Sequence, residues 1–281
     1  MMTHAGHHIF RGAVLAVIAL ALTGMQAPPR TTTPALSLWR LDCGTVQVND
    51  LNLFSDTFAY VGQTKTLTDS CYLIRNGDRY LLWDTGLPGE LAGTSSGSGP
   101  MTMSVSRRIV DQLAQIGVRP AQVNFVGISH NHQDHIGQAA DFPQATLLMG
   151  EEDFEATKAG PNAKRLAPWA SGAAKVEPIK RDHDVFGDGS VTILDMPGHT
   201  PGHQALLVRL RSGPVLLSGD QFHFTENRRT RGVPSFNADR SDTLGSHDRF
   251  EAIAKSLKAK VIIQHEPADV AKLPAFPRAA Q

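Results

Sequence analysis

Seven side chains able to ligate a metal stand at the ends of four apolar runs, and a chain that brings those runs together has few folds open to it. His130, His132, Asp134 and His135 follow Val123-Asn124-Phe125-Val126-Gly127-Ile128, all within Ser129 to His135. His199 follows the run Val191 to Leu194, Asp220 ends Val215-Leu216-Leu217-Ser218-Gly219, and His265 ends Val261-Ile262-Ile263-Gln264. Short apolar runs of this kind read as buried strands. Ligands leaving the C-terminal ends of several strands meet where open α/β architectures place their sites. Neutral imidazoles suit zinc and similar divalent ions, and a carboxylate can bridge a pair of them, so the inventory suffices for two adjacent ions and points to hydrolytic chemistry.

Because the seven positions must converge, one domain is favoured over two small ones. The charges balance, 27 Lys plus Arg against 27 Asp plus Glu, so there is no overall basic field to recruit nucleic acid. Ahead of the domain, Arg11 precedes an apolar run from Gly12 to Leu22, followed by small and polar residues through Ala27. The run is short for a membrane span and fits the apolar region of a secretory signal peptide. The expected organisation is a signal peptide over 1–27 and a single domain over 28–281. That domain would be periplasmic or secreted, with no stable membrane contact after processing. Cys43 and Cys71 can pair in an oxidising compartment, but two separate buried thiols are the preferred expectation.

Strands are expected over 36–48, 70–75 and 80–83, with Asn76-Gly77 a hairpin turn between the last two. Gly and Ser crowd 91–100, and the spacing of Val105, Ile109, Leu113 and Ile116 predicts a helix over 104–116. Further helices are expected over 151–158 and 243–258, the latter with Ser241 as N-cap.

Four motifs then fall in a familiar order. His130 to His135 matches H-x-H-x-D-H, followed by Gly198-His199-Thr200, Gly219-Asp220 and the strand-end His265. In these motifs the chain resembles the metallo-β-lactamase superfamily over roughly residues 36 to 270. The resemblance implies a four-layer αβ/βα sandwich, an α/β fold. It implies His130, His132 and His199 on one metal ion, Asp134, His135 and His265 on a second, and Asp220 bridging them, with zinc the expected metal. The bridging carboxylate sets the chain apart from true zinc β-lactamases. Asp84, in Asp84-Thr85-Gly86, resembles a family position that orients a ligand imidazole.

The strand Leu38 to Gly44, the excursion Asn49 to Thr68 and Ser218-Gly219-Asp220-Gln221 are most similar to the N-acyl homoserine lactone lactonases. That similarity implies an acylated lactone as substrate, opened by water activated between two ions, with Asp134 or water returning a proton to the leaving group; it also allows a homodimer. Lactonases of this branch carry a Tyr shortly after the bridging Asp. Here Gln221-Phe222-His223 follows, so His223 is expected as the donor in its place. Phe54, Phe58 and Tyr60 are candidates for an acyl groove, a dimer contact or a self-packed lid. The alternatives to a lactonase are a metallohydrolase of thioesters, organophosphates or β-lactams, and a non-catalytic metal-binding module, which loss of ligands would mark. His203 is equally open to a supporting or a structural role. His183 and His247 are expected as surface or capping residues, and His4, His7 and His8 fall in the targeting segment.

Overall fold

Alternating side chains sort the central strands into two faces, and that alternation builds the layers. The computed structural model describes residues 36–281 together with 1–4 and 6; the targeting segment expected over 1–27 otherwise lies outside the described residues. β1 (Ser37–Val48), β2 (Lys65–Asn76), β3 (Arg79–Trp83), β4 (Ser95–Ser96), β5 (Met101–Ser104), β6 (Phe125–Gly127), β7 (Thr146–Gly150) and β8 (Val176–Ile179) form one sheet in the order β4-β5-β1-β2-β3-β6-β7-β8. β9 (His183–Asp184), β10 (Val191–Asp195), β11 (Gln204–Leu210), β12 (Gly213–Leu217) and β13 (Lys260–Ile262) form a second in the order β13-β12-β11-β10-β9.

Tyr72, Ile74, Leu81, Trp83 and Leu148 face inward and meet Ile193, Leu206, Val208, Leu217 and Ile262 of the second sheet. Their neighbours Leu73, Leu82, Leu147 and Met149 face outward, where Ile109 and Leu113 of helix α1 (Ile109–Gln115) cover them. The motif segment forms α2 (Gln133–Ile136), and α3 (Glu151–Ala159) and α4 (Ala167–Ala170) extend the outer layer through Phe154 and Trp169. Beyond the second sheet, after α5 (Thr225–Thr230), the helix α6 (Arg240–Leu257) packs Phe250 and Ala254 on Leu194, Leu207 and Leu216. The result is the αβ/βα sandwich. No helix among the described residues is long and apolar enough to cross a membrane.

The local structure departs from the sequence reading at four points. The helix expected from residue 104 begins at Ile109, because Met101–Ser104 instead pair with Thr45–Val48 at the sheet edge and Val105 packs on that side of the fold. The N-cap of α6 is Asp239, whose carboxylate accepts from Asp242 N at 2.8 Å, and Ser241 lies inside the helix. Asp134 and His135 sit on the short helix α2, which is not among the helices expected from the sequence. Finally, Cys43 and Cys71 form a disulfide, not separate thiols, with Cα atoms 5.9 Å apart. The physical reason is the pairing of β1 with β2: Leu41 lies opposite Cys71, and Cys43, two residues further along at a register shift between Asp42 and Gly44, shares the same buried face.

Candidate metal centre

Each strand end delivers its ligand as the order of the apolar runs predicts. His130 follows β6, His199 follows β10, Asp220 follows β12 and His265 follows β13, and one atom from each candidate ligand reaches one of two donor groups. His130, His132, His199 and Asp220 form the first group; Asp134, His135 and His265 form the second. Asp220 faces both. Its Oδ2 lies 3.5 Å from His130 Nε2 and 3.5 Å from His199 Nε2, while its Oδ1 lies 3.3 Å from His135 Nε2 and 2.9 Å from His265 Nε2. Asp134 Oδ2 is 3.9 Å from His135 Nε2 and 3.8 Å from His265 Nε2.

The imidazoles are aimed by what their other nitrogens meet. His135 Nδ1 lies 2.9 Å from Asp84 Oδ2, and His265 Nδ1 lies 2.9 Å from Thr68 O, so each presents Nε2 to the centre. His130 Nδ1 is 3.1 Å from Ser129 Oγ, again leaving Nε2 inward. The inward nitrogens crowd together: His130 Nε2 is 3.0 Å and His199 Nε2 3.2 Å from His132 Nδ1, and His265 Nε2 is 3.3 Å from His135 Nε2. One imidazole cannot satisfy several such neighbours by donating protons, and Asp220 Oδ1 is buried with no hydrogen-bond partner. Convergent lone pairs of nitrogen and oxygen around two centres are a donor set that fits a pair of divalent ions.

Electrostatics points the same way. Burial holds His130, His132 and His199 below the usual imidazole value, keeping them neutral and able to ligate. At His135 and His265 burial is again the largest single effect and works in the same direction, but the carboxylates of Asp220 and Asp134, joined at His135 by Asp84, together outweigh it, raising His135 well above the usual value and His265 to about 9. Around the second group the carboxylates therefore demand positive charge, which a cation supplies.

Support comes from residues the motifs only partly disclosed. Asp84, expected to orient an imidazole, contacts His135 and also accepts from Ser129 N at 2.6 Å. His203 accepts from Asp220 N at 2.9 Å through Nε2 while Nδ1 faces Met196 O at 2.9 Å, so it fixes the backbone of the shared carboxylate. A Cβ on Gly219, at φ +53°, would lie 2.7 Å from His203 Nε2, which is why the residue before Asp220 has no side chain. Asp153 was missed. At the start of α3 it accepts from Thr200 Oγ1 at 2.5 Å and Gly202 N at 3.0 Å, and its bond from the Asn131 backbone ties the His199 loop to the first motif. His247, expected as a surface or capping residue, is not at the surface: it is buried, stacks on Phe222 and lies 2.8 Å from Gln221 O through Nε2. His183 is half-buried and lies apart from the centre, 3.7 Å from Glu177.

A cavity of about 320 Å³ opens onto the donor groups. His132, Asp134, Asp220, His223 and His265 line its polar end, and Val46, Phe54, Leu67, Met101, Met103 and Phe236 its apolar walls. Of the three aromatic candidates only Phe54 lies on this cavity; Phe58 is 74% exposed, and Tyr60 is buried against Phe224. His223 is buried with Nε2 3.0 Å from Asp220 Oδ2, yet that nitrogen lacks a partner in hydrogen-bonding geometry.

Comparison with known proteins places these observations in a lineage. The sequence model of the family described as the metallo-beta-lactamase superfamily matches residues 66–265. An N-acyl homoserine lactonase AttM of Azorhizobium caulinodans is 31% identical over 175 residues, 56% of this chain and 64% of that protein, so the match spans just under two-thirds of the relative. AttM of Rhizobium johnstonii is 30% identical over 224 residues, 70% of this chain and 81% of the relative. Among solved structures, a Bacillus thuringiensis AiiA mutant with N-decanoyl-L-homoserine at its active site superposes with TM-score 0.76 at 23% identity, covering 88% of this chain and 100% of that one. This last likeness carries the fold.

Proposed function

The chain belongs to the metallo-beta-lactamase superfamily, and from that membership we propose that it is a dinuclear-metal hydrolase that opens the ring of N-acyl homoserine lactones or related lactones. The observation that carries the proposal is the division of Asp220, one carboxylate oxygen toward each donor group, beneath a cavity that is polar at one end and apolar along its walls. His130, His132 and His199 would hold one ion, Asp134, His135 and His265 the other, and Asp220 both, with zinc the metal that imidazole and carboxylate donors favour. When bound, such ions supply Lewis acidity toward a carbonyl oxygen and lower the pKa of water.

The protein's own groups do the rest. The apolar walls from Val46 to Phe236 receive an acyl chain and exclude water from it, leaving the lactone ring at the polar end. His223 stands there to donate to the carbonyl oxygen as negative charge develops on it. Asp134, whose side chain is 20% exposed, is open to the cavity: it takes a proton as water oxygen bonds to the carbonyl carbon and returns it to the ring oxygen as the C–O bond breaks, giving the ring-opened acid.

The test is purified protein with its metal content measured, assayed on lactones of varied acyl length, a thioester, a phosphotriester and a cephalosporin. Acylated lactones should turn over fastest. Cleavage of another class with no lactone opening overturns the substrate assignment and leaves the dinuclear hydrolase.

We also propose export. Support comes from the sequence pattern of Arg11 to Ala27, and a buried Cys43–Cys71 disulfide is at home in an oxidising compartment. Protein recovered from a periplasmic fraction should begin near Pro28 and carry the bridge, both read by intact-mass and N-terminal analysis. Reduction should lower its stability by about 3 kcal/mol, the scale for a loop of this size. Active cytoplasmic enzyme with an intact N-terminus would contradict export.

A further inference from the structure

Gln264 ends the strand run that delivers His265, and it is fully buried. A primary amide has two acceptor positions and two donor hydrogens, and here all four are used. Oε1 accepts from Trp83 Nε1 at 3.2 Å and from Gly219 N at 3.0 Å. Nε2 donates to Asp84 Oδ2 at 2.8 Å and to Ser70 O at 3.3 Å. Indole and backbone N–H groups only donate, while a carbonyl and a carboxylate only accept, so these partners fix which way the amide points.

The partners also come from both sheets. Ser70 and Trp83 lie on β2 and β3, Asp84 follows β3, and Gly219 follows β12. Two of them adjoin the candidate ligands. Asp84 Oδ2 takes the Gln264 donor and meets His135 Nδ1 at 2.9 Å, while Gly219 immediately precedes Asp220.

We propose that Gln264 is a positioning residue that couples the two donor groups, holding His135 through Asp84 and Asp220 through Gly219. This rests on the dinuclear reading above. A glutamate in its place would keep the acceptor for Trp83 and Gly219 but set a carboxylate against Asp84, with no proton to donate. A methionine would fill the space and serve neither side, leaving Asp84 without one donor and the Gly219 N–H buried without an acceptor. Asp220 keeps its separate bond to His203 in both variants, so damage at Asp84 reaches the second group first.

The experiment compares wild type, Gln264→Glu and Gln264→Met as zinc-loaded full-length proteins. Competition with a chromophoric chelator gives the two stepwise dissociation constants, and thermal unfolding gives stability. In Gln264→Glu one ion should weaken by about 10- to 100-fold, the range for groups that orient metal ligands, while the other stays within about threefold. Adding Asp134→Ala should then cost Gln264→Glu less metal affinity than it costs wild type, whereas adding His132→Ala should cost both the same. Gln264→Met should weaken both ions. Should Gln264→Met fail to fold, Gln264→Glu decides alone. Two unmoved constants in Gln264→Glu, with or without a lower melting temperature, overturn the coupling, as does equal weakening of both ions. A wild type that holds one ion overturns the dinuclear reading itself, and the coupling with it.

Discussion

Purified Asp220→Ala protein is expected to fall from close to two ions per chain to fewer than one and to lose activity by more than about a hundredfold, beyond the range seen when only an outer partner of a ligand is removed. Asp220 presents one carboxylate oxygen to each donor group, with imidazole nitrogens at 3.5 Å on one oxygen and at 2.9 and 3.3 Å on the other. Burial alone would push its carboxyl up. The surrounding His265, His223, His135 and His130 outweigh burial and hold it well below the usual carboxylate value, so a negative charge belongs there. Removing it leaves two cations facing each other with nothing between them to offset their repulsion, and each ion loses a ligand as well. Asp220→Asn separates the two contributions, since it keeps the shape and one oxygen but loses the charge. Its occupancy should lie between those of wild type and Asp220→Ala. Metal analysis of chelator-washed protein, paired with initial rates, reads both effects; undiminished two-ion occupancy in Asp220→Ala would remove the bridging role.

The ligands were legible because each belongs to a local pattern: a short apolar run, then a His or Asp at its end. Strand formation fixes where such a residue emerges, and four strand ends on one side of two stacked sheets can only converge. The layers were legible from the motif resemblance, and the alternation along β2, β3 and β7 explains them physically. What escaped the sequence depends on register and on distant partners. The Cys43–Cys71 bridge depends on the register that sets Leu41 opposite Cys71, which no local pattern announces. Val105 carries helix spacing with Ile109, but pairing of Met101–Ser104 at the sheet edge takes precedence over that periodicity. Asp153 reads as an ordinary acidic residue in a helix's first turn, and only the approach of the His199 loop makes it a clamp. Gln264 is likewise anonymous in sequence, since its partners Ser70, Trp83, Asp84 and Gly219 are all remote.

The departure at His223 gives the sharpest test of lactone chemistry. His223→Ala should leave metal content at the wild-type level while slowing lactone opening by about ten- to a thousandfold, the range for losing a general acid or one oxyanion donor. The geometry explains why the two readouts should part. His223 lies outside both donor groups, yet it lines the same cavity, with its unpartnered Nε2 3.0 Å from Asp220 Oδ2. The rings of Phe54 and Phe236 pack steeply inclined against the imidazole, at centroid distances of 4.8 and 5.9 Å, and limit its swing away from the substrate. A buried donor held in this way costs little reorganisation as charge develops on the carbonyl oxygen. His223→Tyr should recover part of the rate, because a phenol supplies a donor from the same backbone position, while His223→Phe should stay near the alanine level because it fills the space and donates nothing. The loss should fall mainly on kcat, since a donor that strengthens with developing charge matters more in the transition state than in the bound substrate. Wild-type lactone opening by His223→Ala would remove His223 from the reaction, and metal loss in that variant would recast it as a ligand.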